Sequence, residues 1–173
     1  SIPDLSNLVN LETFIAKKNS FTGEIPGWLF DGTMPNINLV DLAWNKFTGS
    51  LPEFGKPNNL KALQVDGNKL TGKVPASVKN IESIKDFVVG WNKLEGEIPD
   101  RSDMHQLRYL RANDNNCTGA PPIVDISKKS LQFIYMQNNN LTGEVPKGLS
   151  KLAYRPECRE IDLRNNDCSD SDR

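Results

Sequence analysis

The sequence has no long apolar run. Nothing in its 173 residues approaches the roughly 18 consecutive apolar positions a membrane helix needs, and the first residues lack the charged-then-apolar pattern of a secretory leader. It also lacks an excess of either charge: 21 basic residues against 22 acidic ones leave a net charge of −1, so neither a nucleic acid nor membrane contact by this segment is expected. Histidine is almost missing. The single one, His105, has no second histidine or cysteine at metal-ligand spacing. Asp100 and Asp103 are paired carboxylates on a loop with no apolar stretch to raise one pKa, and no glycine-rich phosphate cradle or serine elbow is present. The acidic tail "DCSDSDR" lacks the turn glycine and distant glutamate of a calcium loop. No enzyme, cofactor or metal is expected. Apolar residues make up only 37% of the chain, too few for one thick core, whereas a thin elongated core is easier to fill.

What the chain does have is a repeat. Asparagines recur at Asn19, Asn45, Asn68, Asn92, Asn115, Asn139 and Asn166; after the first six, a glycine follows four residues later and a proline seven later. Apolar residues keep the same phase at eight, five and three positions before each Asn, as in Leu60, Leu63 and Val65. The spacing of two between the last pair is a strand period, so each repeat opens with a short strand whose alternate side chains enter a core. Further apolar positions follow two and six residues after most of the Asn residues, bringing the coil inward again. A buried Asn must satisfy its amide, and at a turn it can bond backbone groups of its own and neighbouring coils. The seven asparagines are therefore expected to form a structural ladder.

Positions seven, six, four, two and one before each Asn are expected to face outward on the concave side. The column four before reads Ile15, Asp41, Gln64, Val88, Arg111, Tyr135, Asp162; the column six before includes Asp86, Tyr109, Phe133 and Glu160. One before the Asn stand Trp44, Gly67 and Trp91 in successive coils, and the two indoles would flank a shallow slot about 10 Å wide. Exposed aromatics and arginine are common interface anchors. The candidate ligand-binding residues are therefore Trp44, Trp91, Asp41, Asp86, Tyr109, Arg111, Phe133, Tyr135 and Asp162.

The segments "NSFTGEIP", "NKFTGSLP", "NKLTGKVP", "NKLEGEIP" and "NNLTGEVP" resemble the plant-type leucine-rich repeat, LxxLxxLxLxxNxLxGxIPxxLxxLxx, over essentially the whole chain. Departures fall at "NNCTGAPP", where Pro121 replaces an aliphatic residue, and at the C-terminal "NNDCSDSDR". The resemblance implies a right-handed α/β-class solenoid of about seven coils, with a concave parallel β-sheet and a mostly irregular or 3-10 convex side. Residues 1–173 are expected to form a single leucine-rich repeat domain, a fragment lacking its N-terminal cap. Similarity to the ectodomains of plant receptor kinases and receptor-like proteins implies an extracellular or cell-surface recognition module with a protein or peptide ligand, and a co-receptor as a further candidate partner. Similarity to polygalacturonase-inhibiting proteins leaves a secreted hydrolase inhibitor as the alternative.

Three smaller features complete the reading. Thr22, Thr48, Thr71, Thr118 and Thr142 form a column three after the Asn; a threonine ladder can order water, which keeps an ice-binding or structural protein as a minor alternative. Asn116 in "NCT" and Asn140 in "NLT" match the glycosylation acceptor pattern. Cys117 and Cys168 stand where other coils carry Leu or Phe, and Cys158 stands at a strand-start apolar position. Buried free thiols are expected there; a Cys158–Cys168 disulfide needs a distorted last coil and stays open.

Overall fold

A computed structural model describes residues 1–55, 59–100, 104–123, 130–152 and 154–169; Asp103 and tail residues 170–173 lie outside the described residues. The chain is a solenoid built on a seven-stranded parallel sheet whose strand order follows the sequence. The strands are Thr13–Ile15, Leu39–Asp41, Ala62–Gln64, Asp86–Val88, Tyr109–Arg111, Phe133–Tyr135 and Glu160–Asp162. Each is only three residues long, and its middle residue points into the core. Thr13, Leu39, Ala62, Asp86, Tyr109, Phe133 and Glu160 pair in one row, and Ile15, Asp41, Gln64, Val88, Arg111, Tyr135 and Asp162 in another. At about 4.8 Å between neighbours the sheet is roughly 30 Å long.

The core is a thin stack of side chains from consecutive coils, including Val40, Leu63, Phe87, Leu110 and Ile134 from the strands and Phe47, Leu70, Leu94 and Leu141 from the turns after them. The asparagine amides tie the coils together. Asn92 Nδ2 donates to the carbonyls of Val89 and Gly90 in its own coil and of Val65 in the preceding one, while its Oδ1 accepts the Leu70 N–H at 3.0 Å. The same pattern repeats at Asn45, Asn68, Asn115, Asn139 and Asn166. Asn19 bonds only within its own coil. These amides satisfy backbone groups that would otherwise be buried without partners.

Opposite the sheet, among the described residues, helix is confined to the 3-10 turns Gly27–Leu29 and Ala76–Asn80 and the short α-helix Lys147–Leu152. The repeat proline starts each of these: the carbonyls of Pro26, Pro75 and Pro146 accept from Leu29, Val78 and Leu149. No helix of the described residues is long and apolar enough to cross a membrane. Between sheet and turns, short strands pair two by two, Thr22–Glu24 with Lys46–Thr48, Glu95–Glu97 with Asn116–Thr118, and Thr142–Glu144 with Asp167–Ser169. Their register is slipped by two, so that Thr22 lies opposite Lys46, Thr118 opposite Glu97 and Thr142 opposite Asp167. In these pairs the threonines do not face one another as an ordered row would require.

The convex side has its own tight point. Gly55 donates its N–H to the Phe30 carbonyl at 2.9 Å, the rings of Phe30 and Phe54 pack at 5.3 Å, and a Cβ on Gly55 would run into the Asp31 carbonyl. That neighbour is backbone and cannot swing aside. Gly55→Ala is expected to destabilise the chain by about 2 kcal/mol, within the usual range for overpacking; urea unfolding that leaves the midpoint unchanged would show that the two coils are not in contact there.

The three cysteines are free, Cys117 buried and Cys158 and Cys168 partly so. Burial pushes the Cys117 thiol up to about 11, so it is an inert core group.

Candidate functional site

The site is assembled by the sheet register, which places all nine candidate residues on the concave side. Its centre is Arg111. The guanidinium carbon lies 5.0 Å from the Tyr135 ring centroid, 5.3 Å from Trp91 and 5.4 Å from Tyr109, close enough for three cation–π contacts. The aromatics also touch one another, Tyr109 with Phe133 at 5.2 Å and with Tyr135 at 5.8 Å between centroids. Arg111 makes no ion pair among the described residues, and its Nε is buried without a hydrogen-bond acceptor. Ring faces, not a carboxylate, fix this cation. Tyr135 Oη donates to Glu160 at 2.6 Å, and burial together with that bond pushes the phenol up to about 12.

The two tryptophans do not behave as the spacing suggests. They do share a row with Gly67, as the Trp44 N–H bond to the Asp66 carbonyl and the Gly67 N–H bond to the Gly90 carbonyl show. The slot between them, however, is closed. The Trp44 ring lies over the intervening coil and meets the Trp91 ring at 5.9 Å between centroids; a Cβ on Gly67 would come within 2.7 Å of the Trp44 indole. Bare backbone at Gly67 is what lets them touch.

Backbone geometry supplies the reason this row looks as it does. Every residue one before the Asn is left-handed: Lys18, Trp44, Gly67, Trp91, Asp114, Asn138 and Asn165 all have φ between 48° and 65°. Gly, Asn and Asp tolerate that region, whereas tryptophan does not favour it. At the far end the row is tied by polar bonds, Asn165 to Asn138 and Asn138 to Asp114. Trp44 and Trp91 hold strained positions that a smaller polar residue would fill more easily.

The carboxylates divide into two kinds. Asp162 is held by Arg164 through two bonds, Nε at 2.9 Å and Nη2 at 2.7 Å, and Arg164 keeps its pKa below the ordinary carboxylate range. Asp41 is buried, accepts the Ala43 N–H and lies 3.7 Å from Lys17 Nζ. Asp86 and Asp66 have no ion pair among the described residues. Together with Lys17, Val88, Tyr109 and Arg111 they line an open cavity of about 330 Å³. Asp66 is only 7% exposed, and this burial pushes its carboxyl up from the ordinary value.

Asp66 was not among the sequence candidates, and it exposes an error in the outward-facing expectation. Two before the Asn, Ala43, Asp66, Gly90 and Asn113 are all buried. The strand ends four before the Asn, so alternation no longer sets inside from outside two before it, and the residue there sits directly ahead of the left-handed position. Asn113 fills the space over Gly90, where a Cβ would come within 2.6 Å of Asn113 Oδ1. Asp41, Asp162, Ala62 and Val88 are likewise more covered than expected; Lys17 reaches over Asp41 and Arg164 over Asp162.

A carboxyl that binds its proton more tightly in the folded than in the unfolded chain makes stability fall as pH rises through the folded pKa. Asp66 is such a group, with its folded value raised. Asp66→Asn is therefore expected to raise Tm by a few degrees at pH 7, with the gap to the parent closing at acid pH. Thermal unfolding at both pH values checks this; an Asn variant less stable at pH 7 would contradict an unpaired buried carboxylate.

Comparison with known proteins supplies a context for this geometry. A family model described as Leucine Rich Repeat matches residues 59–81 and 130–152. The Arabidopsis thaliana leucine-rich repeat receptor-like serine/threonine-protein kinase SKM1 is 37% identical over 68 residues, covering 39% of this chain and 7% of that protein. Among solved structures, the plant peptide hormone receptor RGFR1 in complex with RGF2 superposes with a TM-score of 0.84 at 30% identity, covering 95% of this chain and 26% of that one. The ectodomain of the Arabidopsis thaliana receptor kinase GASSHO1/SCHENGEN3, in complex with CASPARIAN STRIP INTEGRITY FACTOR 2, gives 0.80 at 25% identity, covering 95% of this chain and 19% of that one. The chain thus spans about a quarter or less of each of these relatives.

Proposed function

We propose that this chain, a solenoid similar to the leucine-rich repeats of plant receptors, is a recognition segment of an extracellular or cell-surface receptor, binding a peptide or protein across its concave face. The observation that carries this reading is the cluster of Arg111 among Trp91, Tyr109 and Tyr135. These side chains stand outside the core, Tyr109 and Arg111 on one strand, Tyr135 on the next and Trp91 in the turn that follows Asp86–Val88. A rigid sheet presenting aromatic rings and one fixed cation loses little conformational entropy on association. Two similar solved receptors are in complex, one with RGF2 and one with CASPARIAN STRIP INTEGRITY FACTOR 2, which supports the same use here.

An extracellular setting agrees with Asn116 and Asn140, whose side chains and following threonines are exposed on the lateral side, away from the aromatic cluster. In this reading they accept glycans; a mass shift on amidase treatment of protein secreted from plant cells, absent in an Asn116→Gln, Asn140→Gln chain, tests that part. The binding reading is tested by selecting peptides from a displayed random library on the full chain. Selected peptides should lose affinity for Arg111→Ala and Tyr135→Ala chains that unfold normally. Peptides indifferent to both would remove the concave cluster as the binding surface.

A further inference from the structure

We propose that the cavity between Asp66 and Asp86 is a cation subsite that takes a lysine or arginine side chain of the bound peptide. The inference rests on the reading of the concave face as a peptide-binding surface and deepens it. Both cations on the cavity rim are already engaged, Lys17 beside Asp41 at 3.7 Å and Arg111 against three ring faces. The carboxylates opposite them make no ion pair among the described residues. Asp66 is more than nine-tenths buried and lines the cavity, where the charges of Lys17 and Arg111 act on its carboxyl without forming an ion pair with it, whereas Asp41 and Asp162 are each occupied within the chain.

A buried carboxylate with no cation in direct contact is costly, and a charge-assisted bond from an incoming ammonium or guanidinium would reduce that cost on binding. The walls fit the rest of such a side chain: Val88 and the Tyr109 ring offer apolar surface for a methylene stem. A cavity of about 330 Å³ accommodates one long side chain. A divalent cation is less well served, because no group of three carboxylate, histidine or cysteine side chains converges among the described residues.

The test uses the full chain and two small probes of equal shape and different charge, Nα-acetyl-arginine amide and Nα-acetyl-citrulline amide, followed by amide chemical shifts. The arginine probe should give saturable shifts confined to Gln64, Asp66, Asp86, Val88 and Tyr109, with citrulline weaker by about tenfold or more. An Asp66→Asn, Asp86→Asn chain should bind the two probes alike. Equal binding by the parent chain, shifts scattered over the surface, or saturation of the same amides by calcium chloride at lower concentration would overturn the subsite. If library-selected peptides bind the concave face without needing a basic residue, the subsite falls and the recognition reading stands. If the arginine probe binds as described and no peptide does, the recognition reading falls and the subsite stands.

Discussion

Asn115→Ala is expected to cost about 3 kcal/mol of unfolding free energy, which in a chain of this size lowers Tm by about 10 °C. The amide of Asn115 donates to the carbonyls of Val89, Ala112 and Asn113 and accepts the Leu94 N–H at 2.9 Å. Leu94 is fully buried, so its N–H is left with no water to replace the lost acceptor. An orphaned buried donor alone costs about 1–3 kcal/mol, and the emptied side-chain volume adds to that. Asn19→Ala is the matched control: Asn19 is exposed and bonds only the Ala16 and Lys17 carbonyls of its own coil, so its loss should cost about 0.5 kcal/mol.

Because each coil touches only its neighbours, the damage in Asn115→Ala should be local. Amide exchange should accelerate from the Val89 coil through the Cys117 turn and leave the first coil unchanged. Asn115→Asp sharpens the point. Aspartate keeps the acceptor for Leu94 but sets a carboxylate against three carbonyl oxygens, which raises its folded pKa. Its stability should therefore be lowest at neutral pH and recover as pH falls through that raised value. Equal losses for Asn19→Ala and Asn115→Ala would mean that the ladder does not bridge coils.

The ladder and the sheet register were legible in the sequence because a period of about two dozen residues fixes which side chains lie over one another. Pairings such as Asp41 with Gln64 and Val88 with Arg111 follow from counting. What counting cannot supply is the direction of a side chain beyond the strand. Trp44 and Trp91 stand in the expected row, but whether they flank a gap or close over it depends on a left-handed backbone at φ 56° and 48° and on the bare surface at Gly67. Asp66 escaped notice for the same reason: its position lies past the three-residue strand, where alternation no longer tells inside from outside. A partial signal was present in the small residues Ala43 and Gly90 of that column; Asp66 and Asn113 gave none, because aspartate and asparagine are ordinarily exposed. The slipped pairing of the lateral strands had no signal at all in the repeat phase.

The second large effect concerns binding. Arg111→Ala and Tyr135→Ala are each expected to weaken a library-selected peptide by about 30-fold or more, equivalent to about 2 kcal/mol, with little change in unfolding midpoint. Both side chains are outside the core, so stability and affinity should separate. Their effects should also fail to add. Arg111 is positioned by Tyr135, Trp91 and Tyr109, and Tyr135 is anchored in turn by its bond to Glu160; removing either loosens the other, so the double variant should lose much less than the sum. Tyr135→Phe separates ring from hydroxyl: it keeps the face against Arg111 and drops only the Glu160 bond, and should lose about threefold in affinity if the ring face is what matters. Trp44→Ala should fall below the Arg111 effect, because Trp44 meets Trp91 and, among the described residues, has no ring or cation contact with Arg111 itself. Additive losses at Arg111 and Tyr135, or a Tyr135→Phe chain as weak as Tyr135→Ala, would show that the two residues contact the ligand independently and that the ring-held cation is not a unit.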